Sequence, residues 1–365
     1  MTSFQPRTLL RGHIQDMPPY QPIHPFDVLS EQLGVPEEDL VKLDANENPY
    51  GPLPAVRKAL QDLENIHIYP DPEARFLRRD IAEAHDLPVD RILAGAGADE
   101  LIDLILRVIL NPGDLILNCP PTFSMYAFDA DVNAGRTLTV PRQDDFSLDL
   151  PGVEKALRDH SPKVLFVASP NNPDGGLLSP STLERLLDLP LLVVVDEAYI
   201  DFAPPGSSLM DNTRRHKNLI VLRTFSKWGG LAGLRVGYGI FPEWITPAIW
   251  KIKQPYNVNA AGAAAARATL AHRAELAEQT RAIREERKRL YEGLRRVNWV
   301  DPYPSQANFV LCRVDDREAG KVKSQLAQQG ILIRYFDKPG LDDHIRISVG
   351  TPADTDALLQ ALHNL

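Results

Sequence analysis

Residues 191–199 read Leu-Leu-Val-Val-Val-Asp-Glu-Ala-Tyr, five aliphatic side chains in a row followed by a carboxylate. A run with no polar side fits a strand covered on both faces, the condition of a central strand in a parallel sheet wrapped by helices. Period 2 then sets Asp196 and Ala198 on one face, at the end of that strand. Outward from it, short apolar runs alternate with segments of helical period all the way from Arg91 to Ile240. The alternation predicts strands at 114–118, 136–140, 163–168, 218–223 and 236–240, and helices at 101–110, 153–158 and 181–187.

Beyond Pro255 the composition shifts to Ala, Arg and Glu, and residues 260–297 contain no proline, which favours one long helix or two in succession. A smaller α+β unit follows, with strands near 308–314, 331–335 and 345–349 and helices near 317–329 and 353–363. Residues 1–45, rich in proline and aromatics with one helix at 25–33, read as an arm joining that unit. The expected division is an arm over 1–45, a large domain over 46–258, and a bridging helix with a small C-terminal domain over 259–365.

The 365 residues carry 40 Lys and Arg against 49 Asp and Glu, a net charge of -9 with no basic run, which argues against nucleic acid and an anionic membrane as partners. Cys119 and Cys312 stand far apart, no run of apolar residues is long enough to cross a membrane, and no metal cluster is expected, so the cytoplasm is the expected compartment.

In open parallel α/β sheets, ligands bind beyond the C-terminal strand ends. Four such places stand out. Gly95-Ala96-Gly97-Ala98-Asp99-Glu100 precedes a helix, and its small residues either only pack or leave backbone N–H groups facing an anion. Ser169-Pro170-Asn171-Asn172-Pro173-Asp174-Gly175 is a tight turn in which an Asn can present its amide to a ligand. Asp196 is either a salt-bridged or capping carboxylate, or one that faces a flat ring lying against Ala198. Thr224-Phe225-Ser226-Lys227, followed by Gly229, Gly230, Gly233 and Arg235, combines hydroxyls and a guanidinium suited to a phosphate monoester with a lysine able to condense with an aldehyde. An aromatic ring, an aldehyde and a phosphate together describe pyridoxal 5'-phosphate.

Further motifs accompany these: Leu43-Asp44-Ala45-Asn46-Glu47-Asn48-Pro49-Tyr50, Tyr69-Pro70, Pro120-Pro121-Thr122-Phe123-Ser124-Met125-Tyr126 and Ile345-Arg346-Ile347-Ser348-Val349-Gly350. With them the chain resembles, over nearly its whole length, the fold-type I pyridoxal-phosphate-dependent aminotransferases, and within them the histidinol-phosphate aminotransferases. The resemblance implies an α/β fold, a large domain with a mostly parallel sheet plus a smaller α+β C-terminal domain. It implies that Lys227 holds the cofactor through its aldehyde and moves the proton, that Asp196 pairs with the ring nitrogen, and that Asn172 and Tyr199 bond the ring hydroxyl. Phe123 is then the stacking ring, with Ala198 on the opposite face. Thr224, Ser226, Arg235 and the amides of Ala98 and Asp99 hold the phosphate.

For the substrate, the resemblance implies Arg346 at the anionic end, Arg334 at a substrate phosphate, Asn46 and Asn172 nearby, and Tyr20 closing over the site. Tyr69 would reach the cofactor phosphate of the neighbouring subunit in a homodimer with shared active sites. The implied reaction, part of histidine biosynthesis, exchanges the amino group of histidinol phosphate with 2-oxoglutarate, giving imidazole acetol phosphate and glutamate. The aromatic segment Ile333-Arg334-Tyr335-Phe336 leaves an aromatic amino acid transaminase as an alternative, and a lyase of the threonine-phosphate decarboxylase type is a second. Asp174 stands where a Thr is usual, and Trp228-Gly229 follow the lysine where Ala and an aromatic or small residue are commoner.

Overall fold

The computed structural model describes residues 6–19 and 24–365. Its strands are β1 Val41–Leu43, β2 Ile92–Gly95, β3 Leu115–Asn118, β4 Arg136–Thr139, β5 Val164–Ala168, β6 Leu192–Asp196, β7 Leu219–Thr224, β8 Gly237–Ile240, β9 Val300–Pro302, β10 Phe309–Val314, β11 Ile331–Tyr335 and β12 His344–Ser348. Seven of them form one sheet in the order β2-β8-β7-β6-β5-β3-β4. All its pairings are parallel except those of β8, which runs against both β7 and β2.

The run at 191–196 is central because both of its faces are occupied. Val193 and Val195 belong to one apolar core, and Leu192 and Val194 to another on the opposite side. The helix Ala98–Ile109 covers the second core with Leu101, Ile102, Ile105 and Leu106, all fully buried. Each such side chain contributes about 1.5–3 kcal/mol by leaving water. Contrary to the period-2 expectation, β6 ends at Asp196, so strand alternation does not carry Ala198. The chain turns instead, with the Ala198 N–H donating to Asp196 Oδ1 at 3.0 Å.

The remaining strands form a second sheet in the order β1-β11-β12-β10-β9. Its edge strand β1 comes from the N-terminal segment and runs parallel to β11, pairing Val41 with Ile331 and Leu43 with Ile333. The stretch after Pro255 is two helices in succession, Ala260–Ala271 and Arg273–Leu294. The helices Pro54–Gln61, Arg75–His85, Met125–Val132 and Thr246–Ile252 were not foreseen from the pattern. Among the described residues, no helix is long and apolar enough to cross a membrane, and no group of His, Cys, Asp or Glu could hold a metal ion.

Candidate active site

Parallel strands bring their C-terminal ends to one edge, which gathers the segments after β3, β5, β6 and β7. Asp196, the last residue of β6, is buried, and both its oxygens are engaged. Tyr126 Oη donates to Oδ2 at 2.8 Å, and the Ala198 N–H holds Oδ1. Burial pushes this carboxyl up to about 6, opposed by the Tyr126 and Ala198 hydrogen bonds. No cation pairs with it among the described residues, so the salt-bridge reading of Asp196 is not what the fold provides. A buried carboxylate without a counter-ion is costly. A protonated ring nitrogen beside it removes that cost.

Tyr126 is held by its stacking on Phe166, centroids 5.0 Å apart, and Phe123 meets it edge-on at 5.5 Å. Its part in the site was missed in the sequence, although it stands in the Pro120–Tyr126 motif. No spacing rule links a helix residue to a strand end 70 positions away.

Lys227 follows β7. Its Nζ donates to the Ala45 carbonyl at 2.9 Å and lies 5.9 Å from the centre of the Tyr199 ring. Burial, and after it the Arg346 guanidinium, bring the ammonium down to about 8. A fraction of the amine is therefore neutral near pH 7, which a nucleophile requires. Asn46 sits next to it with φ +55, its N–H donating to Ser348 Oγ at 2.8 Å and its Nδ2 to Tyr199 Oη at 3.2 Å. Tyr199 thus meets Asn46, while Asn172 accepts from Arg346 Nη1 at 2.6 Å.

At the other end of the site, Thr224 Oγ1 donates to Ser226 Oγ at 2.9 Å, and Arg235 Nη1 approaches Ser226 Oγ at 3.5 Å. Arg235 Nη2 also pairs with Asp99 Oδ2 at 2.6 Å, a side-chain contact the sequence did not suggest. The helix Ala98–Ile109 starts with no side-chain cap at Gly97, so its first N–H groups are left for an anion. Gly97 takes φ +86, a backbone conformation that L side chains rarely adopt, and a Cβ there would displace the end of Arg235. Hydroxyls, a guanidinium and helix N–H groups gathered at one end of the site match a phosphate. With Asp196 and Lys227 they fit the pyridoxal 5'-phosphate expected from the sequence.

Arg346 on β12 is buried, donating also to the Asp44 carbonyl at 2.7 Å and lying 5.2 Å from the Phe309 ring and 5.6 Å from that of Phe336. Arg334 on β11 is its cross-strand partner and lies 5.6 Å from the same Phe336 ring. Like charges placed directly opposite are destabilising unless an anion joins them, and Arg334 has no acidic partner among the described residues. Phe336 therefore serves as a platform for two cations. Alternation along β11 turns Tyr335 to the other face from Arg334, where it packs by Gly320.

Other sequence candidates stand apart. Tyr69 is 79% exposed and stacks on Tyr256 at 4.7 Å, and the hydrogen bonds of Lys227 and Asp196 go to other residues. With Phe76, Arg75 and Tyr256 it lines an open recess of about 530 Å³. Tyr20 lies outside the described residues. Asp174 takes the Asn171 amide and the Gly176 N–H, closing its own turn without reaching the site. The Trp228 indole turns back into the core, its Nε1 donating to the Thr224 carbonyl at 2.9 Å. Gly229 admits no Ala there, because a Cβ would sit 2.9 Å from the Phe225 carbonyl.

Residues 38–362 match the family described as aminotransferase class I and II. The chain belongs to that family. It is 51% identical to the chloroplastic histidinol-phosphate aminotransferase of Nicotiana plumbaginifolia, over 97% of this chain and 86% of that one. It is 49% identical to the histidinol-phosphate aminotransferase of Roseiflexus castenholzii over 97% of each. Among solved structures, the histidinol-phosphate aminotransferase of Sinorhizobium meliloti in complex with pyridoxal-5'-phosphate superposes with a TM-score of 0.87 at 29% identity, covering 100% of this chain and 97% of that one. The architecture of this aminotransferase is fold-type I, with the mostly parallel sheet foreseen from the run at 191–196.

Proposed function

We propose that this aminotransferase uses pyridoxal 5'-phosphate to move the amino group of histidinol phosphate to 2-oxoglutarate, leaving imidazole acetol phosphate and glutamate. When bound, the cofactor supplies a ring that accepts the electron pair of the substrate carbanion. The chain's own residues do the rest. Lys227, partly neutral because it is buried beside Arg346, would hold the cofactor through its aldehyde carbon, the aldehyde oxygen leaving as water, and once released would carry the proton. Asp196, held by Tyr126 and Ala198, keeps a proton on the ring nitrogen. Thr224, Ser226, Arg235 and the start of the helix Ala98–Ile109 hold the phosphate.

The observation that carries the substrate reading is the cross-strand pair Arg334–Arg346 over the single Phe336 ring. A lone carboxylate needs one guanidinium, whereas a phosphate dianion can be shared by two. Similarity to the two histidinol-phosphate aminotransferases supports the same reading. The experiment is a panel of half-reactions: the holoenzyme is mixed with histidinol phosphate, phenylalanine, tyrosine, glutamate or threonine phosphate, and conversion of the cofactor from its aldehyde to its amine form is followed by absorbance. Histidinol phosphate and glutamate are expected to convert it. Faster conversion by phenylalanine would replace the substrate assignment with an aromatic one, and carbon dioxide release without any keto acid would make the enzyme a lyase.

A homodimer with shared sites belongs to the same proposal. Tyr69 stands exposed with Ile66, Ile68 and Phe76 around it, a cluster of apolar side chains that a second copy would cover.

A further inference from the structure

The chain carries a second cationic recess that none of the cofactor or substrate residues line. It has a volume of about 370 Å³ and lies between the loop Ala203–Ser208, which follows β6, and the helix Arg273–Leu294 that leads into the small sheet. Arg273, Ala277, Thr280 and Arg284 line it, and their spacing of four, three and four residues places them in one stripe on the helix.

The charge on these walls is uneven. Arg223, at the back, is taken up by Glu197 at 3.2 Å and Asp201 at 2.6 Å. Arg273 and Arg284 have no acidic partner among the described residues. Arg273 Nη1 donates to the Ala84 carbonyl at 2.7 Å, and Arg284 Nη1 to the Ala203 carbonyl at 3.3 Å. Each guanidinium offers five N–H donors, so most remain for a ligand. The Ser207 hydroxyl, on the opposite wall, also makes no hydrogen bond among the described residues. The field of these groups is visible in their neighbours. His85 is brought down to about 4 by burial and then by Arg223 and Arg273, and Arg287 to about 10 by burial and then by Arg284.

We infer that this recess binds a small polyanion, one whose oxyanion groups are far enough apart to meet Arg273 and Arg284 together, a polyphosphate or a polycarboxylate. The helical rise puts the two arginine backbones roughly 16 Å apart, a span that two long side chains can close around a ligand but that a single phosphate cannot bridge well. The position gives the site reach: the loop continues from the β6 end that carries Asp196, and the helix joins the two sheets. The inference does not depend on which amine the active site takes.

The test is calorimetric titration of the holoenzyme with tripolyphosphate, with citrate and with inorganic phosphate. Tripolyphosphate separates the phosphate source from the carboxylate source represented by citrate, and inorganic phosphate sets the single-anion baseline. At least one of the two polyanions is expected to bind at least tenfold more tightly than inorganic phosphate. In Arg273→Gln/Arg284→Gln that binding should be lost, while kcat and the anion binding attributable to the active site stay as they were. Should the double variant not fold, Arg273→Gln alone, at an exposed position, should still weaken the polyanion at least threefold. Equal binding of all three ions, polyanion binding unchanged in the variants, or complete displacement of the polyanion by the amine substrate would each overturn the inference.

Discussion

Replacing Tyr126 by Phe removes one oxygen and leaves the ring on its Phe166 support, so it isolates a single interaction with Asp196. The lost bond is a 2.8 Å O–H···O contact to a buried carboxylate, a class worth about 1.5–3 kcal/mol. At 1.36 kcal/mol per pKa unit this amounts to roughly one to two units. The sign follows from which form the bond favours. Tyr126 donates to the ionised carboxylate, so it lowers the pKa that burial raises, and its removal lifts Asp196 from about 6 to roughly 7–8. The assay is infrared difference titration of cofactor-free protein, reading the protonated carboxyl band, with Asp196→Asn as the control that removes it. A titration midpoint that does not move, or moves down, would refute the reasoning.

Lys227→Ala should abolish multiple turnover while cofactor remains bound through the phosphate contacts, as dialysis followed by absorbance will show; sustained turnover would disprove the role of Lys227. Arg346→Ala should raise the pKa of Lys227 above about 8, because it deletes the nearby cation that depresses it; the rate of cofactor capture by cofactor-free protein then reaches its half-maximum at a higher pH, and an unchanged midpoint would sever the link. Arg334→Ala should raise KM for histidinol phosphate by about ten- to a hundredfold, the loss of one charged hydrogen-bonding group, and change that for glutamate far less; equal effects would point to a carboxylate-only substrate. Mixing inactive Tyr69→Ala chains with inactive Lys227→Ala chains should restore activity on subunit exchange, since a mixed dimer carries one site with neither defect; exchange without rescue would place Tyr69 in its own chain's packing.

The central strand was legible because Leu192–Val195 admits no solvent face under any register, and the strand-end motifs were legible because a parallel sheet must bring them to one edge. What escaped has equally definite causes. Strand β1 is three residues long, so it carries no periodicity to detect, and its partner β11 lies far along the chain, Val41 pairing with Ile331. The helix Met125–Val132 mixes apolar and polar positions with no clear stripe, which hid both the helix and the Tyr126 contact it delivers. The Asp99–Arg235 pair depends on Arg235 adopting φ +52 at the end of a loop, a conformation that composition does not announce. Lys227 and Arg346 each donate to a main-chain carbonyl, Arg346 in addition to its bond with the Asn172 side chain, and a reading of side chains cannot find those carbonyls.

Those two carbonyls explain why the N-terminal segment belongs to the chemistry. Asp44 and Ala45 leave β1 in succession, one carbonyl receiving Arg346 and the other Lys227, and Asn46 follows in the left-handed conformation to meet Tyr199 and Ser348. The two cations are therefore fixed as neighbours by adjacent residues of a single strand end. Burial first, and their repulsion after it, keep part of the Lys227 population neutral before substrate arrives, which suits attack on an aldehyde. On the proposed assignment, an anionic substrate at Arg346 would cancel that repulsion, so the proton affinity of Lys227 should rise at the step where it must accept a proton. The same Arg346→Ala titration reads this coupling directly: the variant should fix Lys227 at the higher value that bound substrate otherwise creates, and adding an anionic substrate analogue should then shift the midpoint no further.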